Sequence, residues 1–92
     1  MSNSIASELW VLGTIRSHQE NGQIITPNRL ENLYLLDGGS LYFGPDCDLN
    51  SFLFYLWVSN YIGRDQEAGT IFLTDKGIKH LAELSKLYSP DP

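Results

Sequence analysis

Apolar positions along the chain fall into four helical patterns and one hairpin. Ile5, Leu9 and Leu12 recur at helical spacing, and Val11 and Ile15 widen the stripe. A first helix is therefore expected from Ile5 to about Gln19, stopped by Asn21-Gly22. Trp10 lies nearly opposite Leu12 on that helix. Either a loop or the C-terminal helix covers it or it marks a dimer contact, because a large ring on a polar face is costly to leave in water. Gln23-Ile24-Ile25 leaves room for one brief strand. Thr26 as N-cap and Pro27 at the first helical position open a short second helix with Leu30, Leu33 and Tyr34 inward. Asp37-Gly38-Gly39 closes it.

Between Gly38 and Cys47, Gly and Pro stand at both ends and Leu41, Tyr42 and Phe43 at the centre. That pattern suits an extra strand or a loop folded back over the core, and long connections of this kind often carry binding residues. Asp48 as N-cap and Gly63 as stop bound a third helix, and Leu49–Ile62 carries no charge. Phe52–Val58 has the composition of a buried strand as well, but the capping residues and the length favour a helix. Tyr61–Asp65 and Thr70–Leu73 read as two strands joined by Gln66-Glu67-Ala68-Gly69. Thr74 caps a last helix with a stripe of Ile78, Leu81, Leu84 or Ser85, and Tyr88, with Leu87 beside it. Gly77 in its first turn costs up to roughly 1 kcal/mol relative to Ala. Close approach of a neighbouring backbone is the expected compensation. Residues 89–92 form a tail.

Ninety-two residues make one domain, 1–92, with a single modest core. Six Lys and Arg against eleven Asp and Glu give a net charge of −5, which disfavours a polyanion as partner. Cys47 is the only cysteine, so no internal disulfide forms and a reducing compartment fits. The N-terminus has no basic region or clean cleavage site, and the longest apolar run is too short to span a bilayer. A cytoplasmic protein with no membrane partner is expected.

Three segments carry a likeness. Leu56–Gly63 looks like the end of a recognition helix passing into a wing; Ile71–Gly77 looks like the return strand with a Leu-Thr-x-x-Gly start to the next helix; Ile25-Thr26-Pro27-x-x-Leu30 fits a second helix. In these the chain resembles the winged-helix superfamily from Ile5 to Leu87. The resemblance implies an α+β fold of four helices with a two-stranded wing and room for a short third strand. Members of that superfamily commonly lay the third helix in the DNA major groove and the wing along the backbone. Aligning Asn60-Tyr61-Ile62 with the superfamily's usual Gly-Leu-Ile turns Phe54, Trp57, Val58 and Tyr61 to the core. Phe52, Tyr55, Leu56 and Ser59 then face outward, where only Ser59 suits a base edge. The other register puts Leu49, Phe52, Leu53 and Leu56 inward and Phe54, Val58 and Tyr61 out. Apolar on every side, the helix needs cover on both, from the Ser40–Phe43 loop or from another chain. The connection before it is longer than the superfamily's usual one.

Candidate chemistry is sparse. His18 and His80 lie on separate helices with no partner at metal-ligand spacing, and Asp46 and Asp48 flank Cys47 against thiolate formation. Asp37-Gly38-Gly39-Ser40 ends a helix instead of opening one, so it is no phosphate loop. No enzyme activity, cofactor or metal is expected. The expected function is protein–protein contact as a homodimer, adaptor or inhibitor, through Trp10, Tyr42, Phe52, Tyr55 and Leu56. The alternative is a DNA-binding regulator in which Asn28, Arg29, Asn50, Ser51 and Arg64 touch phosphates or bases. Lys76, Lys79 and Lys86 on the last helix mix with Asp75 and Glu83 as on an ordinary solvated face.

Overall fold

The computed structural model describes residues 4–36 and 48–87, with side chains from Ser7 onward. Elements follow in the order α1 (Ser4–Glu20), α2 (Pro27–Leu36), α3 (Leu49–Val58), β1 (Ile62–Asp65), β2 (Thr70–Leu73) and α4 (Asp75–Leu87). The result is a small α+β domain whose two strands pair antiparallel, Ile62 opposite Leu73 and Asp65 opposite Thr70. The expected strand or covering loop between Gly38 and Cys47 lies outside the described residues, and so do Tyr42, Tyr88 and the side chain of Ile5.

Boundaries have local causes. Gly22 sits at φ +69°, and Gln23 N–H reaches back to the His18 carbonyl at 2.8 Å, closing the last turn of α1. Thr26 Oγ1 accepts Arg29 N–H at 3.1 Å to start α2, and Asp48 Oδ1 accepts Ser51 N–H at 2.8 Å to start α3. The end of α3 comes sooner than Gly63. Asn60 takes the left-handed conformation at φ +68°, with Tyr61 N–H on the Leu56 carbonyl at 2.9 Å and Asn60 N–H on that of Trp57 at 3.0 Å. Asn is among the few non-glycine residues that tolerate this region, so the stop signal was Ser59-Asn60. Gly63 serves β1 instead, where a Cβ would run into the Phe72 ring lying across it from β2.

The core gathers Val11, Leu12 and Ile15 from α1, Leu49, Phe52, Leu53 and Leu56 from α3, and Ile62, Ile71 and Leu73 from the hairpin. Leu30 and Leu84 add one buried side chain each from α2 and α4. Gln23-Ile24-Ile25 forms no strand; its contribution is the Ile25 carbonyl, which accepts Ile71 N–H at 2.9 Å. Two residues on, the Gln19 side chain takes Leu73 N–H at 2.9 Å. A carbonyl and a side-chain amide thus satisfy the outward donors of β2, with no third strand among the described residues.

At the start of α4 the expected close approach is present. Thr74 N–H and Oγ1 both donate to the Tyr61 carbonyl, at 3.1 and 3.2 Å, Oγ1 also reaches the Asn60 carbonyl at 2.6 Å, and Lys76 Nζ donates to the Ser59 carbonyl at 3.0 Å. A Cβ on Gly77 would collide with the Tyr61 carbonyl oxygen. This clasp fixes the chain reversal after α3 and hence the angle at which the hairpin leaves it. Leu84 is buried in α4, whereas Ser85 turns out and donates to the Leu81 carbonyl at 3.0 Å.

Candidate functional site

The α3 helix has Leu49, Phe52, Leu53 and Leu56 on one stripe at i, i+3, i+4 and i+7, and the structure buries all four. Leu56 is 0 % exposed and Phe52 8 %. Both expected contact residues are therefore core, a correction to the register built on Asn60-Tyr61-Ile62. Its cause is the left-handed Asn60. Tyr61 packs against the core as that alignment requires, but the helix ends at Val58 and its phase cannot be carried back across the break.

Turned outward instead are Phe54 at 59 % exposure, Tyr55 at 49 %, Trp57 at 43 % and Val58 at 56 %. Phe54 and Trp57 meet edge-on with centroids 5.8 Å apart, and Tyr55 lies 5.9 Å from the Phe52 ring beneath it. Of the expected interface residues only Tyr55 belongs to this face. Trp10 does not: it is half-buried and meets Tyr34 of α2 edge-on at 6.1 Å, so the cost of an exposed ring is met within the chain. Phe54 and Val58 were readable in the sequence through the second register, whose inward stripe is the cleaner heptad pattern; that register did not name Trp57, and Tyr61, which it turned outward, packs against the core.

Beside this face an open groove of about 370 Å³ runs between α3, the hairpin and the first turn of α2. Leu53, Phe54, Trp57, Ile62, Ile71 and Pro27 line it, with Asn50 and Arg64 as the polar members. Two of the residues expected for nucleic acid thus come together here, and Arg64 has no ion-pair partner among the described residues. Asn28 and Arg29 are exposed on the first turn of α2, and Ser51 is exposed with its N–H held by Asp48. That same bond is the leading reason the Asp48 carboxyl lies below the ordinary carboxylate value.

A second polar cluster ties α1 to α4. His80 Nε2 donates to Glu8 Oε2 at 2.8 Å, and the His80 ring stacks on Tyr61 at 4.1 Å with the planes 6° apart. Lys76 stands 5.1 Å from the centre of the same Tyr61 ring. His80 is thus a half-buried bracket between α1 and α4. His18 is also accounted for, Nδ1 donating to the Thr14 carbonyl at 2.9 Å. Among the described residues, no helix is long and apolar enough to cross a membrane. Comparison with protein-family models, with curated proteins and with solved structures finds no match to this chain.

Proposed function

We propose that this chain is a small protein-interaction module of winged-helix-like layout, working through the outward face of α3. The layout is supported by the order of three helices, hairpin and fourth helix, and by the Leu73-Thr74-x-x-Gly77 turn into α4. One observation carries the functional reading. The helix a groove-reader would present to bases offers Phe54, Tyr55, Trp57 and Val58 instead, on a stretch without charge. Rings of this kind anchor protein interfaces, and base edges offer them little. The proposed contact set is therefore Phe54, Tyr55, Trp57 and Val58. Asn50 and Arg64 on one groove, with Arg29 exposed on α2, favour the second reading, a DNA-binding regulator.

Affinity capture separates the two. Immobilised wild-type chain should retain a protein from an extract of its source cells, and Phe54→Lys should lose it. Random duplex DNA should bind weakly and with a shallow salt slope. Tight duplex binding that falls by roughly 10³ or more between about 50 and 200 mM salt would instead establish the regulator, because such a slope counts several neutralised phosphates.

A further inference from the structure

We infer that the partner seated on α3 is a second copy of this chain, α3 against α3 across a two-fold axis; the inference rests on the interaction reading above and names its occupant. Charge comes first. Across a two-fold, each surface meets itself, so a contact face containing carboxylates sets like against like. The molecule carries −5, and acids are spread over its other elements: Glu8 and Glu20 on α1, Glu31 on α2, Asp65 and Glu67 on the hairpin, Asp75 and Glu83 on α4. Within Leu49–Val58 there is none, the N-cap Asp48 being the acid at its start, and the only charge on the groove beside it is Arg64. Crossed antiparallel about the two-fold, two copies can close over this face with the two Asp48 carboxylates at opposite ends and no carboxylate opposing another.

Area sets the strength. A buried aromatic side chain covers roughly 150–250 Å². With about half of each ring and of Val58 exposed, the face offers on the order of 400 Å² per copy. Two faces and the adjoining groove walls reach about 1,000 Å², the lower end of specific interfaces. Among the described residues no buried side-chain polar atom lacks a hydrogen-bond partner, so none calls for one from a second chain. An interface of this size suits a reversible dimer of folded chains. Pairing of Phe54 with Trp57 and of Tyr55 with Phe52 holds the rings before contact, limiting the ordering cost.

Salt gives the contact a signature. Added salt screens the repulsion between two acidic molecules while breaking no interfacial ion pair, so association should tighten as salt rises. Sedimentation equilibrium of the whole chain from about 5 to 500 µM should show the mass rising from 10.4 kDa toward twice that value. Raising NaCl from about 0.05 to 0.5 M should strengthen association two- to tenfold. Phe54→Lys and Tyr55→Arg should each weaken it at least about tenfold with unchanged circular dichroism, while Leu87→Lys on α4 leaves it alone. In a Trp10→Phe background, emission from Trp57 should shift to the blue with concentration on the same curve. A mass fixed at one chain throughout, or a dimer indifferent to both α3 variants, overturns the inference. A monomer that still captures another protein through Phe54 sinks self-association alone; loss of both sinks the interaction reading with it.

Discussion

Two glycines that look alike in the sequence differ in what a methyl group would strike. At Gly77 the obstacle is the Tyr61 carbonyl oxygen, backbone held by Thr74 from two directions. Helix propensity alone would favour Ala there by about 1 kcal/mol. Overpacking against a fixed carbonyl costs more, so Gly77→Ala should lower stability by about 2 kcal/mol or more in urea unfolding. At Gly63 the obstacle is the Phe72 ring, which is partly exposed and free to swing away. Gly63→Ala should cost clearly less. Asn60→Ala, forced into a left-handed conformation that Ala tolerates poorly, should cost about 1 kcal/mol. Equal losses at Gly77 and Gly63 would mean that the clasp is not where stability resides.

At the scale of elements, caps and stripes decide. The Asp48 carboxyl is held below its ordinary value by the Ser51 N–H, so its charged form stabilises the start of α3. A lowered folded-state value makes that contribution present above about 3.8 and lost as pH falls through the folded value. The melting-temperature gap between wild type and Asp48→Ala should therefore be open at pH 7 and close under strong acid. The starts of α2, α3 and α4 were legible because Thr26, Asp48 and Thr74 cap by side-chain chemistry that works locally. The hairpin was legible for the same reason: Gly69 at φ +71° and the Asp65 carboxylate, bonded to the Glu67 and Ala68 N–H groups, form its turn. The facing of α3 was left open between two registers, since Leu49–Ile62 carries no charge to mark a solvent side. Without that mark the phase was borrowed from Tyr61, on the far side of the Asn60 break. Trp10 misled differently; only the packing of α2 onto α1 shows that Tyr34 covers it.

Across the whole molecule, acidic charge and apolar surface are segregated. Among the described residues the carboxylates lie on α1, α2, the hairpin and α4 and at the N-cap Asp48, while the outward face of Leu49–Val58 is uncharged and ringed. Partner choice follows from this segregation more than from any one contact, because remote charge sets approach and the rings set retention. All of it depends on which half of α3 is inside. Placing one cation on each half of the helix reads that out directly, by thermal unfolding of Leu56→Lys beside Phe54→Lys. Leu56 is fully buried, so Leu56→Lys should abolish the cooperative melt, while Phe54→Lys should melt within a few degrees of wild type. The reverse pattern, a tolerated lysine at Leu56 and an unfolded chain with one at Phe54, would contradict the assignment of the exposed face and everything built on it.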